Sequence, residues 1–328
     1  MLQTKKGLSW LKNANGDIDQ SSEGYNVAIT SLTYIRKKVV DQVFYEIPIE
    51  EFIPIAIGEG AYSESIVTYG QVSHGGDFES GIVNTGADNA RLQTVDTGVV
   101  KFTAAVADWM KGFNYTKFDV EKALLAGNWD IIAAKAKALK KNFDLGLQEL
   151  AFLGGKGIGA TLFPGLLNNG NVNSNISLIT EDISTMSAAE LDTLAAGLLE
   201  SYRSNNNRTL YPTHWAMPED VYNGLSRFTD VAFGLRSRLA YLEEAFKGKG
   251  HSITIYPVKY GMSANNSLGL TRHCLYNKEE DNLILEIPLN FVLSAPGTAN
   301  NVTFQQVAMA QFTGVLMPRP LAALYFDY

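Results

Sequence analysis

Residues 128–155 read NWDIIAAKAKALKKNFDLGLQELAFLGG, the longest uninterrupted helix signal in the chain. Asn128 is a residue type that caps a helix start. Asp130 would sit in the first turn, where negative charge suits the helix dipole. Gly154 and Gly155 can supply a left-handed stop. Between these ends Ile132, Ala136, Leu139, Phe143, Leu147, Leu150 and Leu153 recur at three- and four-residue steps and draw one apolar stripe. Lys137, Lys140, Lys141, Asp144 and Gln148 fall largely off that stripe. A single helix over 129–153 would run roughly 37 Å, near the diameter of a small domain. Gly146, in mid-helix, costs about 1 kcal/mol relative to Ala, and its missing side chain offers a place for another element to cross. A helix of this length is either ordinary core or a strut, and the segments on either side decide between the two.

On the N-terminal side, FDVEKALLAG (118–127) reads as a short helix. Before it, ARLQTVDTGVVKFTAAVADW (90–109) reads as a long strand in which Val100, Phe102, Ala104 and Val106 alternate with more exposed positions. AYSESIVTYGQVS (61–73) is the strand it returns along. The intervening HGGDFESGIVNTGADN (74–89) has four glycines and no core period. The whole is an extended hairpin with a loose tip. An isolated two-stranded ribbon is marginal in water, so this one predicts a partner, a neighbouring subunit. SLTYIRKKVVDQVFYEIP (31–48) reads as a short helix running into an extended segment, which Pro48 and Pro54 keep extended. Residues 1–30 are polar and carry only the isolated anchors Leu8, Trp10, Leu11 and Tyr25, a composition that suits an arm lying on a surface.

On the C-terminal side, residues 154–175 form a Gly/Asn-rich connector. The chain then turns compact and α/β. SAAELDTLAAGLLESYRSN (187–205) is a helix with Leu191, Leu194, Leu198 and Tyr202 on one side, and TLYPTHWAMP (209–218) is a strand. PEDVYNGLSRF (218–228) is a helix opened by proline. A further helix through 233–246, a strand ITIYPV (253–258) and a loop at 261–270 follow. HCLYNKEEDNLILEIP (273–288) reads as a hairpin with an acidic turn. The tail, 300–328, is strand-rich and ends in apolar and aromatic residues that belong in a sheet.

The totals set limits. The chain has 328 residues, 46% of them hydrophobic, enough for two domains or one large domain with extensions. No run of eighteen apolar residues exists, and the first sixteen residues carry no apolar signal core, so neither a membrane span nor a secretory signal is expected. A net charge of −7 does not advertise nucleic-acid binding. Cys274 is the only cysteine, which excludes an intramolecular disulfide and a cysteine-based zinc cluster, and in a strand it reads as a small buried hydrophobe. His74, His214, His251 and His273 fall one per region, none at ligand spacing. Gly155–Ala160 matches G-x-G-x-x-A, but it follows a helix instead of a strand, which is the wrong context for a dinucleotide. Glu279, Glu280 and Asp281 read as a solvated turn, and Glu243 and Glu244 as exposed helix charges. Lys135, Lys137, Lys140 and Lys141 give the long helix a basic face, open to water, to acidic groups of a neighbouring subunit, or to packaged nucleic acid. No catalytic residue, cofactor site or metal site is assigned. A chain of this size with a docking arm, an unsupported ribbon and no catalytic constellation reads as a protein that builds something.

The order of parts resembles the major capsid proteins of tailed bacteriophages, which share the Hong Kong 97 phage-type fold with encapsulins. The resemblance is carried by FIPIAIGEGAYSESIVTYG (52–70), by the run from Lys117 through GLQELAFLGG to PGLLNN (164–169), and by EIPLNFVLSAPGTANNVTFQQVAMAQFTGVLMPRP (286–320). It implies an α+β fold. Residues 1–45 are then an N-terminal arm and 58–105 the E-loop hairpin that lies across an adjacent subunit. Residues 46–57 and 106–176 form a peripheral domain whose spine helix is 128–154, and 177–285 an axial domain. Residues 286–320 return as strands to the peripheral domain, with 321–328 a last strand. The implied function is self-assembly, in the host cytoplasm, into pentamers and hexamers of an icosahedral shell enclosing double-stranded DNA. Portal, scaffolding and decoration proteins are the implied further partners, the DNA is near without specific binding, and no membrane is involved. Trp10, Leu11, Tyr69, His74, Phe78, Lys137, Lys140 and Lys141 are the expected assembly contacts. The family's Lys–Asn cross-link has no recognisable counterpart here, and a separate scaffold, or none, is expected in place of a fused one. An encapsulin-like compartment and, from another class, a soluble oligomeric α/β enzyme are the alternatives.

Overall fold

In the computed structural model the described residues are 42–74, 96–127, 130–156, 162–227, 236–266, 268–298 and 302–328. The chain clusters into Met1–Phe44 and Tyr45–Tyr328, and the account below concerns the second unit. Its elements are α1 (Ile49–Phe52), β1 (Ile55–Ile57), β2 (Ser65–His74), β3 (Asp96–Thr116), α2 (Lys117–Gly127) and α3 (Ile131–Leu153). Then come β4 (Ser174–Asn175), α4 (Ala188–Asn205), β5 (His214–Pro218), α5 (Glu219–Leu225), α6 (Arg238–Gly248) and β6 (Thr254–Val258). The chain closes with β7 (Arg272–Tyr276), β8 (Ile284–Ile287), β9 (Leu289–Leu293), β10 (Gly297–Thr298), β11 (Thr303–Thr313), β12 (Val315–Leu316) and β13 (Ala323–Asp327).

The helix α3 starts at Asp130, and the Asp130 carboxylate accepts hydrogen bonds from the backbone N–H of Ile132 and Ala133, both at 3.0 Å. Asn128, the cap read from sequence, lies outside the described residues. Either residue type can cap, and the side chain that reaches the free N–H groups defines the start. Replacing Asp130 by Ala is expected to cost about 1 kcal/mol, and Asp130→Asn almost nothing; urea unfolding of the two variants checks this. At the other end Gly154 has φ 79° and donates to Leu150 O at 2.8 Å. A side chain there would collide with Phe163 O at 2.6 Å, so the close crossing is at Gly154. At Gly146 an added Cβ would meet nothing within 4 Å, so no element crosses there and that expectation is corrected. Leu139, Phe143, Leu147, Leu150 and Leu153 are buried, as the stripe requires. Gln148, read as off the stripe, is only 3% exposed. Its amide donates to Tyr45 O and Tyr260 Oη and accepts from Ile47 N–H, which satisfies a buried polar group.

The stripe of α3 faces a sheet ordered β10-β11-β3-β2, with β9 also on β11. The strand β3 has 21 residues and two roles. Its first half pairs with β2, from Ser65↔Ala105 to His74↔Asp96. Its second half pairs with β11, from Thr303↔Thr116 to Thr313↔Val106. Trp109, Phe291 and Phe312 come from three strands of this sheet and meet Phe143 of α3 at ring distances of 5.1, 5.7 and 6.3 Å. The strand is longer than the sequence reading, which ended it at 109. It continues because residues 110–116 keep a partner strand, a long-range pairing invisible in local pattern.

A smaller sheet, β1-β8-β12, lies in the same core. The third sheet, β4-β13-β7-β5-β6, separates two cores. Trp215, Met217, Leu275, Leu324 and Phe326 face the helices α4, α5 and α6. Ala216, Cys274, Tyr276, Ala323 and Tyr325, the alternate positions, face α1, the end of α3 and the connector after it. Both faces are covered, so these strands are apolar throughout.

Several boundaries differ from the sequence reading. The strand read over 61–73 starts at Ser65, after a turn with positive φ at Gly58, Gly60 and Tyr62. Residues 42–48 are extended with no helix, while the 31–41 part of that reading lies outside the described residues. Only His214–Pro218 of 209–218 is strand. Ser187 and Glu190 form a reciprocal cap for α4. The hairpin read over 273–288 does not exist. β7 pairs with β13 and β5, whereas β8 pairs with β1 and β12, so the acidic segment is a crossover between sheets. Asparagines pin it there. Asn277 donates its N–H to Ala322 O and its amide to Tyr211 O, and Asn282 donates to Asn277 Oδ1.

Candidate assembly surfaces

The ribbon of β2 and the first half of β3 projects Tyr69 and Val99 outward, both well exposed. Tyr69 faces Lys101 across the strands, and His74 closes the pairing opposite Asp96. Trp10, Leu11 and Phe78 lie outside the described residues. The root of the ribbon is rigidly held. Gly58 N–H donates to Ile287 O at 3.0 Å, and Val106 N–H to Glu64 O at 3.1 Å. Tyr62 N–H donates to Gln311 Oε1 at 2.7 Å, and the Gln311 amide in turn donates to Asp108 Oδ1 at 2.6 Å. Beside this root, burial and the charge of Glu59 hold the Glu286 carboxyl above the usual carboxylate range.

On the sheet face away from α3, Met110, Met309 and Val292 are direct cross-strand neighbours and all exposed. Three strands thus present one apolar row to the outside. The pairing register finds it, since none of the three residues stands out in its own strand.

The basic face of α3 is engaged within the chain itself. Lys135 Nζ donates to Asn114 O at 2.8 Å, Lys141 pairs with Glu46, and Lys140 lies 3.3 Å from Asp144 and 5.7 Å from the ring centre of Phe291. Lys137 is exposed on the same helix. Tyr69, His74 and these lysines therefore fall on two separate features, the ribbon and the outer face of α3.

Cys274, His214 and His273 sit in strands of the third sheet. Cys274 is fully buried, and burial pushes its thiol well above the usual range, which keeps it an unreactive thiol. His214 is lowered to about 4 by burial and by Lys278. His273 is lowered to about 3 by burial, with Asp327 and Asp182 acting against this. Among the described residues no three His, Cys, Asp or Glu side chains could share a metal ion, and no helix is long and apolar enough to cross a membrane.

Beneath these surfaces one buried ion pair ties the parts together. Arg272 Nε and Nη2 each donate to the Asp327 carboxylate at 2.7 Å, and Arg272 Nη1 donates to Leu167 O at 2.9 Å. The guanidinium lies 4.4 Å from the centre of the Tyr325 ring.

A projecting ribbon and a long helix laid on a sheet are the features that the comparisons with known proteins take up. Residues 80–328 match the family model of the major capsid protein, and the chain belongs to that family. No curated protein sequence matches it. Among solved structures it is similar to the capsid of Myoviridae phage XM1, at 16% identity and a TM-score of 0.75, covering 92% of this chain and 98% of that one. It is similar too to a protein of Microbacterium phage Oxtober96, at 10% identity and a TM-score of 0.57, covering 87% and 89%. A protein of Gordonia phage Cozz gives 10% identity and a TM-score of 0.55, covering 90% of each chain. At such identities the likeness is one of fold, the α+β capsid fold of tailed phages. The protein is a structural component of the virion capsid and not an enzyme.

Proposed function

We propose that this chain assembles into pentamers and hexamers of an icosahedral shell that encloses double-stranded phage DNA. The observation that carries the reading is the ribbon. Its outward Tyr69 and Val99 are exposed, and a two-stranded ribbon is marginal alone. A neighbouring subunit supplies the missing support, with 58–105 as the E-loop, 128–154 as the spine helix and 177–285 as the axial domain. Obligate interfaces commonly exceed roughly 2,000 Å², and arms and ribbons reach such areas without enlarging the subunit core. Self-association is by repeated head-to-tail contacts whose rotation closes. The net charge of −7 suits a wall that encloses DNA without gripping it. Assembly takes place in the host cytoplasm, with a portal and, where needed, scaffolding or decoration proteins.

Expressing the chain alone and with its neighbouring genes, then imaging by negative stain, tests this. Closed particles are expected, and small oligomers under every condition would refute it. Deleting residues 73–89 is expected to leave the subunit folded, with an unchanged far-ultraviolet spectrum, while closed particles disappear from the micrographs. Normal particles from that deletion would contradict the role given to the ribbon.

A further inference from the structure

Two exposed apolar faces of this chain lie on opposite sides of one sheet, and β3 sets their relation. Along a strand, successive side chains point to opposite faces. Trp109 packs on Phe143 of α3, so the odd-numbered residues of β3 share the α3 side. Both ladders of β3 run without a register shift, with β2 from Ser65↔Ala105 to His74↔Asp96 and with β11 from Thr303↔Thr116 to Thr313↔Val106. The alternation therefore carries through from the ribbon into the sheet. Val99 and Lys101 lie on the α3 side, and Tyr69, opposite Lys101, lies there with them. Met110 lies on the other side, in one row with Met309 and Val292.

The two faces of the ribbon are not alike. On one, the Phe102 ring lies over Gly70, where a side chain would meet it at 2.8 Å, so the chain covers part of that face itself. On the α3 side Tyr69 and Val99 stay 68% and 67% exposed, against 42% for Val100 on the covered face. The open face is therefore the one that lacks a partner. The methionine row is a fitting complement, because a flexible, polarisable thioether packs well against an aromatic ring. The charges agree. On the open ribbon face, from Thr97 to Ala105 and along β2, the one charged residue is Lys101. On the face of β3 and β11 that carries the row, from Val106 to Thr116 and Thr303 to Thr313, the one charged residue is Asp108, beside Met110. Neither is in an ion pair among the described residues, and the Asp108 carboxylate accepts only from the Gln311 amide.

We propose that the Tyr69–Val99 face of one subunit's ribbon seats on the Met110–Met309–Val292 row of the next copy, with Lys101 beside Asp108. The giving face and the receiving face are on opposite sides of one sheet, so each subunit gives one contact and receives one. That is a head-to-tail contact, which generates a ring where the rotation closes. Each sheet then has its own α3 on one side and a neighbour's ribbon on the other, and both exposed apolar faces are covered. The proposal rests on the reading of the chain as a self-assembling shell protein and names the surface that supports the ribbon.

The test uses the double variant Y69C/M309C in the full chain, purified as particles and oxidised. The buried Cys274 leaves the two new thiols as the accessible pair, and since they face opposite sides of one sheet a bridge between them joins two copies. A ladder of disulfide-linked dimers and higher oligomers on a non-reducing gel is expected, absent from Y69C and M309C alone. In parallel, M110S/M309S is expected to keep the wild-type circular dichroism spectrum while its yield of closed particles falls at least tenfold; this variant decides alone where the cysteine pair does not assemble. Oxidised Y69C/M309C particles without a ladder, or a wild-type yield from M110S/M309S, would overturn this contact and leave the shell reading standing. Failure of the wild-type chain to form closed particles at all would overturn both.

Discussion

Asp327→Ala is expected to lower the unfolding free energy of the subunit by about 3–5 kcal/mol, the cost of removing one partner from a buried ion pair. Asp327 is 3% exposed and the Arg272 side chain 11%. Without the carboxylate, a guanidinium would remain inside with only Leu167 O and the Tyr325 ring to oppose its desolvation. The second carboxylate oxygen also accepts from Ser174 Oγ at 2.9 Å, so the loss reaches β4 at the edge of the sheet. Asp327→Asn keeps an acceptor for one of the two donors and should lose less. Surface pairs such as Arg208–Glu200 and Lys140–Asp144 give the contrast. Their side chains are about half exposed, and breaking either should cost at most about 1 kcal/mol. Urea unfolding of unassembled subunits separates the two classes. An Asp327→Ala loss no greater than that of Glu200→Ala would show that the pair does not anchor the last strand. The pair matters beyond its own energy. Leu167 follows α3 in the chain, and Asp327 ends the strand that divides the two cores, so Arg272 joins the long helix's connector to the central sheet.

Much of this architecture was legible because local pattern and tertiary role agree. The stripe from Leu139 to Leu153 could be read from spacing alone, since the side of α3 that packs on the sheet is the side with the leucines. The helix read from Ser187 onward, the strand ending at Pro218 and the two strands of the ribbon were local in the same sense. What escaped is non-local. Gln148 looks like a surface residue until Tyr45 and Tyr260 come from positions more than a hundred residues away to receive its amide. The false hairpin at 273–288 has the right pattern for one, and only the partners β13, β1 and β12 show that its strands part company. The outer row of Met110, Met309 and Val292 depends on register across three strands. The lysines of α3 were visible as a basic face, but their acceptors Asn114 and Glu46 were not. Sequence periodicity reports which side of an element is buried, and it does not report which other element buries it.

Acid should destabilise the subunit before the carboxylates held low by hydrogen bonds titrate, and His273 should be the main cause. The ring is fully buried in β7, between Trp215 at 5.8 Å and Tyr328 at 5.9 Å, and neither ring nitrogen has a hydrogen-bond partner among the described residues. Burial lowers it to about 3, against about 6.5 for an unfolded histidine. The folded state therefore binds fewer protons than the unfolded state between those values. Its stabilising contribution is complete above the unfolded value and is lost as pH falls toward the folded one. At pH 4.5 the unfolded chain has gained most of a proton that the folded chain still refuses, a loss of about 3 kcal/mol from this residue alone. His214, lowered to about 4 but only half-buried, adds a smaller loss of the same sign. Carboxylates held low by hydrogen bonds, Asp119 through Thr116 and Glu190 through Ser187, lose their contribution only in more acidic solution. Between pH 6.5 and 4.5 the destabilising slope thus comes from the histidines, and the raised Glu286 carboxyl acts against it. His273→Phe keeps a ring between Trp215 and Tyr328 and removes the titration. Urea unfolding at pH 7 and at pH 4.5 should show the wild-type subunit losing about 3 kcal/mol more than His273→Phe over that interval. At pH 7 the variant should be equal in stability or slightly better, because two unpaired buried nitrogens are gone. Parallel losses in the two proteins would mean that the ring takes up its proton while folded, through a partner or a water that reaches it.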